Sequence, residues 1–243
     1  MRESIGMHAG TQKVIEIHEM QNRIRVFKNR IQAGRVLAGM LKPRCPPECI
    51  IYAIPSGGVP LGIEIAASLN LPLEIAVVSK ITLPWNTEAG YGAVAFNGTA
   101  KLNRSLISRL HLPEAQVREG IESTLEKVRR RLTKFRAEGQ LRELTGKTAV
   151  LVDDGIASGF TLLTGIEALK AMGPAGVYAA SPTGSLESVM KVAAEADLVL
   201  CANIRSGWSF AVADAYEEWA DIDESEAARM FTDYLNSGGT GGA

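Results

Sequence analysis

The sequence predicts an α/β protein whose central, mainly parallel sheet is flanked by helices, with an inserted hairpin and long helix and a small C-terminal hood. Three observations carry that expectation. Short apolar runs without alternation, such as Thr148 to Val152, suit strands covered on both faces. Between them lie segments whose apolar residues recur at helical spacing, the pattern of βαβ units. A hydrophobic content of 46% over 243 residues is enough for one substantial core.

Residues 1 to 22 are polar and irregular and read as an extension or edge segment. From Phe27 to Leu41, the residues Ala33, Leu37, Ala38 and Leu41 recur at helical spacing, and Pro43 stops the helix. Cys49 to Ile54 is a compact apolar strand. The loop Pro55-Ser-Gly-Gly-Val-Pro60 follows, and Pro60 suits the first turn of a helix running through Leu61 and Ile65 to Leu69. Ile75 to Val78 form the next strand, ended by Ser79 and Lys80. Gly90 and Gly92 then interrupt the pattern, and a hairpin runs from Ala93 to Phe96, through Asn97-Gly98, to Ala100–Leu102. After Pro113 a long helix puts Val117, Ile121, Leu125, Val128, Leu132 and Phe135 on one stripe, with Glu122, Glu126, Arg130 and Lys134 on the wet face. The run Arg129 to Arg131 belongs to that mixed, solvated face, which argues against a nucleic-acid surface.

In the second half, Thr148 to Val152 form a strand and a helix starts near Leu162, continuing through Ile166, Leu169 and Met172 to a Gly173-Pro174 stop. Val177 to Ala180 form a strand, Ser185 caps a helix through Val192, and Leu198 to Ile204 form the last strand. From Gly207 the chain is aromatic and acidic, and Ser237 to Ala243 reads as a disordered tail. The expected division is an extension over 1–26, one domain over 27–225 and a tail over 226–243.

With 26 basic against 27 acidic residues there is no broad attraction to nucleic acid or to an anionic membrane. Apolar runs stop at strand length, and the polar start with His8 and Thr11 lacks the core of a signal peptide, so the cytoplasm is the expected location. Cys45 and Cys49 are the one close cysteine pair. With no third and fourth ligand nearby, they read as ordinary thiols, like Cys201, and not as a structural metal site.

The stretch from Val150 to Thr161 carries the chemistry. Asp153 and Asp154 end a buried strand, and ligands of open α/β sheets bind at the carboxyl ends of strands. Gly155 and Gly159 permit tight backbone geometry, Ser158 and Thr161 offer hydroxyls, and the following helix points free amides back at the loop. The pattern is an anion site beside two carboxylates, suited to a ligand bearing a phosphate and a diol or metal. No Gly-x-x-x-x-Gly-Lys-Ser/Thr and no Gly-x-Gly-x-x-Gly competes with it.

This order of strand, Asp-Asp, small residues, Ser-Gly-x-Thr and helix resembles the signature of type I phosphoribosyltransferases, which bind 5-phosphoribosyl-1-pyrophosphate (PRPP). From about residue 27 to 225 the chain is similar to a family of phosphoribosyltransferases of unassigned substrate, through Pro55-Ser-Gly-Gly58, Lys80, Pro84, Asn86, Glu88, Gly92-Ala-Val94, Phe210, Val212 and Tyr216. The resemblance implies the type I phosphoribosyltransferase fold and transfer of a phosphoribosyl group to a nitrogen nucleophile. It implies that Asp153 and Asp154 hold the ribose hydroxyls directly or through Mg²⁺, that Ala157, Ser158, Gly159, Phe160 and Thr161 wrap the 5′-phosphate, and that Ser56, Gly57 and Gly58 bind pyrophosphate. Lys80 would add a compact cation. A homodimer is the expected assembly, and PRPP and a small acceptor are the expected partners.

Two departures bear on activity. Ser56 stands where the family loop usually carries arginine, which removes a guanidinium suited to bidentate phosphate binding. Ala157 stands where 6-oxopurine salvage enzymes carry an acid, which disfavours guanine or hypoxanthine as acceptor and leaves no evident general base; Glu88 and Asp214 are candidates by position only. Trp208, Phe210 and Tyr216 cluster after the final strand, so Gly207 to Trp219 are expected either to roof a planar acceptor or to cover the sheet edge or a dimer contact. Besides the transferase, two other functions remain open: a PRPP or nucleotide sensor that transfers nothing, and a phosphatase, which two adjacent acids pointing to opposite sides fit poorly.

Overall fold

A computed structural model describes residues 13–135, 142–207 and 209–239, and of residues 87 and 88 the backbone alone. Six parallel strands form the central sheet. The first, β1 (Val14–Ile15), pairs with the last strand and lies in the segment expected to be an extension. Helix α1 (Arg30–Leu41) is capped by Asn29, whose side chain accepts from the Gln32 amide, so the expected start at Phe27 moves three residues on to Arg30. Pro43 does not end the chain's helical path at once; it sits inside a 3-10 turn, Lys42–Arg44.

Strand β2 (Cys49–Ala53) is buried throughout, as a parallel strand covered on both faces should be. It leads through a cis Pro55–Ser56 peptide into α2 (Gly58–Leu69), with Pro60 in its first turn. Strand β3 (Leu73–Ile75) returns beside β2.

Here the chain leaves the sheet. The strand expected over Ile75 to Val78 is two strands: β3 ends at Ile75, and β4 (Val78–Leu83) opens a separate antiparallel sheet with β5 (Asn86–Ala95) and β6 (Ala100–Leu102). Ala76, Val77 and Val78 are buried on both sides of the switch, so hydrophobicity runs through it unbroken. Lys80 is therefore a mid-strand residue paired opposite Ala93, not the terminus of a parallel strand. The expected hairpin about Asn97-Gly98 is present between β5 and β6, and Gly98 has φ +90°.

Helix α3 (Arg104–Arg109) precedes the long α4 (Glu114–Phe135), which buries Val117, Val128 and Phe135. Strand β7 (Thr148–Val152) is fully buried and pairs with β2. Gly159 adopts φ +77°, and α5 (Phe160–Lys170) begins immediately after it. Phe160 and Thr161, expected in a loop, thus form the first turn of a helix. Strand β8 (Gly176–Ser185) is longer than expected, Ser185 caps α6 (Leu186–Glu195), and β9 (Leu198–Arg205) completes the sheet, whose order is β1-β9-β8-β7-β2-β3.

The tail expected from residue 226 is corrected most. Asp223 caps α7 (Glu224–Asn236) by accepting from the Glu226 amide, and Ala227 and Phe231 are buried one turn apart. Strand β1 and helix α7 thus belong to the packed body, while 1–12 and 240–243 lie outside the described residues.

Candidate functional site

At the carboxyl edge of the sheet the loops after β2 and β7 come together, backed by residues 216–220 from beyond β9. At the end of β7, the Asp154 amide donates to Asp153 Oδ1 at 2.9 Å. Asp154 Oδ2 accepts from Arg30 Nε at 3.0 Å and Nη2 at 2.9 Å. One oxygen of each acid therefore has no hydrogen-bond donor among the described residues. Burial pushes the Asp153 carboxyl well above the ordinary carboxylate range, and the Asp154 charge adds to it. Burial raises Asp154 as well, against the Arg30 guanidinium, which favours the charged form.

Arg30 was not a sequence candidate, because nothing in a helical pattern marks one arginine for burial. Its residual exposure is 8%. Nη1 donates to the Ala220 carbonyl at 2.8 Å, and the guanidinium stacks 3.9 Å above the Trp219 ring centroid. Tyr216 closes the same cluster from behind: its hydroxyl donates to the Asp154 carbonyl at 2.8 Å, and its ring packs between Phe27 and Trp219. With 3% exposure Tyr216 supports the acid pair from inside and does not roof an acceptor.

Loop 55–58 faces these acids at close range. A Cβ on Gly57 would stand 1.9 Å from Asp154 Oδ2, so a side chain there would require the carboxylate to shift. The loop's approach to the carboxylate depends on that glycine.

The loop after β7 supplies the anion cradle. Ile156 is held to β8 through its amide on the Thr183 carbonyl, and the Ala157 carbonyl accepts from Ser188 Oγ at 2.6 Å. The amides of Ala157, Ser158 and Gly159 have no acceptor among the described residues, and they sit at the N-terminus of α5. Successive free amides at a helix start are an anion-binding arrangement. Lys80 enters this side of the site: with Asn103, Ala157, Ser158, Ser188 and Lys191 it borders a cavity of about 500 Å³. No residue of loop 55–58 is among those lining that cavity.

Trp208 of the expected hood and the side chain of the base candidate Glu88 lie outside the described residues. Phe210 is half-buried with the Arg205 guanidinium 5.1 Å above its ring, and the same arginine pairs with Asp214 at 3.0 Å, which occupies that base candidate. Trp219 joins the acid cluster through the Arg30 guanidinium. A second, more apolar cavity of about 310 Å³ is lined by Arg30 together with Pro60, Trp219, Ile222 and Met230.

A free-amide cradle and paired acids at the carboxyl edge of a parallel sheet define a class of α/β protein built to hold a phosphorylated ligand. Comparison with known proteins narrows the class. The phosphoribosyl transferase domain model matches residues 46–215. Proteins from two strains of Mycobacterium tuberculosis, each named "Putative phosphoribosyl transferase", are 32% identical over 219 residues, which is 88% of this chain and 49% of theirs. The chain thus spans about half the length of the curated relatives it matches. The crystal structure of TT1426 from Thermus thermophilus aligns at 25% identity with a TM-score of 0.72, over 87% of this chain and 99% of that one. The chain belongs to the phosphoribosyl transferase family. Among the described residues, no helix is long and apolar enough to cross a membrane.

Proposed function

We propose that the chain binds PRPP and transfers its 5-phosphoribosyl group to a nitrogen nucleophile, releasing pyrophosphate. The observation that carries this reading is the meeting, at one sheet edge, of three amides without acceptors, two acids with an open oxygen each, and a loop whose Gly57 backbone lies close against Asp154. In this reading the amides of Ala157, Ser158 and Gly159, with the Ser158 and Thr161 hydroxyls, bind the 5′-phosphate. Phe160 contributes the first helical turn behind them. The open oxygens of Asp153 and Asp154 accept the ribose hydroxyls, and Ser56, Gly57 and Gly58 meet the pyrophosphate with backbone groups. Lys80 brings an ammonium to the polyphosphate from β4.

Mg²⁺ suits this donor set in one specific way. The described residues hold no cluster of three or more metal-ligating side chains, while Mg²⁺ is commonly bound by one or two carboxylates plus substrate phosphates. Asp153 and Asp154 would hold an ion that arrives with PRPP. When bound, it supplies positive charge to the departing pyrophosphate. The protein's own part is to orient the sugar and to hold its phosphates while the C1–O bond breaks and the C1–N bond forms.

A sensor that binds PRPP without turnover is the second reading, and Ser56 favours it, because loop 55–58 brings no guanidinium of its own. Ala157 weighs against a 6-oxopurine acceptor in either case. Pyrophosphate release from PRPP and Mg²⁺, screened against nucleobases and amines, separates the two. Release with one acceptor class supports transfer, binding by calorimetry without release supports the sensor, and absence of PRPP binding sinks both.

A further inference from the structure

Arg131 lies on α4 in the run expected to face solvent, yet its side chain is 15% exposed. Nη2 donates to the Pro55 carbonyl at 3.1 Å. Nη1 donates to the Val78 carbonyl at 3.1 Å and to Ser79 Oγ at 2.9 Å. Nε pairs with Glu224 at the start of α7, and Lys134 binds the other Glu224 oxygen at 2.6 Å. One planar guanidinium therefore fastens loop 55–58, the base of β4 and the C-terminal helix to the long helix.

We propose that Arg131 is the positioning residue of the pyrophosphate loop, held in register by Glu224 and Lys134. This rests on the reading of loop 55–58 as the pyrophosphate site. Three features support it. Pro55 is buried and brings no N–H, so its carbonyl is the group by which its residue can be tied to a neighbouring element. Beyond Pro55, the loop is braced by its own short bonds, Gly58 N–H to the Ile54 carbonyl and Val59 N–H to the Ser56 carbonyl, which fix its curl but not its place in the site. With serine at 56 the loop meets an anion chiefly through backbone groups, whose hold falls steeply with displacement. The same guanidinium binds Val78 and Ser79, so the strand that carries Lys80 is set by the same contact. A lysine lacks the fixed fork of donors needed to reach all three sites at once.

The test titrates inorganic pyrophosphate with Mg²⁺, and separately ribose 5-phosphate, into the full chain and into Arg131→Gln, Arg131→Lys and Glu224→Gln, with thermal melts alongside. Arg131→Gln is expected to weaken pyrophosphate by about 10- to 100-fold, the scale of an ångström-level misplacement, and ribose 5-phosphate by less than about twofold. Arg131→Lys should keep the fold and still lose pyrophosphate selectively. In the ligand-free protein, the Gly58 and Val59 amides should exchange hydrogen faster in Arg131→Gln, while those of β7 are unchanged. Equal losses for both ligands, or unaltered exchange at Gly58 and Val59, would overturn the positioning role. A parent chain that binds ribose 5-phosphate but no pyrophosphate would instead overturn the assignment of the loop, and the inference with it.

Discussion

Replacing Gly57 by alanine probes the site's tightest contact. The new Cβ would lie 1.9 Å from Asp154 Oδ2, against about 3.4 Å for ordinary contact, so the carboxylate has to retreat by about 1.5 Å. A free aspartate tip would swing away cheaply. This one is held by two Arg30 donors at 2.9 and 3.0 Å, with 10% and 19% of the two side chains exposed. Moving it breaks a charge-assisted pair in a mostly buried setting, worth about 1.5–3 kcal/mol per hydrogen bond to a charged group and about 3–5 kcal/mol when one buried partner is stranded. Partial relaxation brings the expected loss to about 2–4 kcal/mol, or a fall in Tm of about 4–16 °C for a chain of this size. Gly39→Ala is the control: a Cβ there meets nothing within 4 Å, and Gly39 is exposed within α1, so helix propensity should add about 0.5–1 kcal/mol. Urea denaturation of both variants, with ribose 5-phosphate titrations, measures the difference. Gly57→Ala within about 0.5 kcal/mol of the parent, with ligand affinity unchanged, would refute the claim that Arg30 fixes Asp154 against the loop.

Asp153→Asn combined with Asp154→Asn should lower PRPP affinity by about tenfold or more, since hydrogen bonds to charged groups are worth about 1.5–3 kcal/mol each; calorimetric binding equal to the parent's would remove the acids from the sugar site. Lys80→Met should weaken PRPP more than ribose 5-phosphate, and an equal loss for both would place the ammonium at the 5′-phosphate, on whose side its cavity lies. Burial raises the Glu224 carboxyl, but the hydrogen bonds from Lys134 and Arg131 outweigh it and hold the group below its ordinary value. A depressed folded-state pKa stabilises the fold above the unfolded value and is lost as pH falls through the folded one. Urea midpoints of the parent should therefore decline more steeply below about pH 5 than those of Glu224→Gln, and parallel curves would contradict that sign.

What the sequence made legible was local, and what it hid was the product of distant contacts. The strand Thr148–Val152, the acids that end it and the glycine-rich turn are adjacent in the chain, so composition and order reveal them together. The switch from β3 to β4 was hidden because Ala76 and Val77 are buried in either arrangement, and a run of apolar residues carries no mark of which sheet receives it. Helix α7 did leave a signal: Asp223 followed three residues later by Glu226 is a capping pattern, with Ala227 and Phe231 four apart. Its acidic surroundings masked it. Arg30 and Arg131 left none, because their partners stand 124 and 93 residues away and helical periodicity marks neither for burial.

Those two arginines change how the acid pair is to be understood. A carboxylate at a strand end that waited for its ligand would be mobile and hydrated, and binding would have to order it. Asp154 is instead oriented during folding, by Arg30, by the close approach of Gly57 and by the Tyr216 hydroxyl on its own carbonyl. Arg30 in turn depends on the Ala220 carbonyl and the Trp219 ring, so residues 216–220 help to set Asp154 before any ligand arrives. The aromatic C-terminal segment, expected to meet the acceptor, thus acts first on the acids that would hold the ribose. Rigid groups aimed in advance lose less on binding than groups that must be gathered. A chain cut before Tyr216 would therefore be expected to keep the phosphate amides, whose geometry comes from β7, β8 and α5, and to lose its fixed hold on the diol.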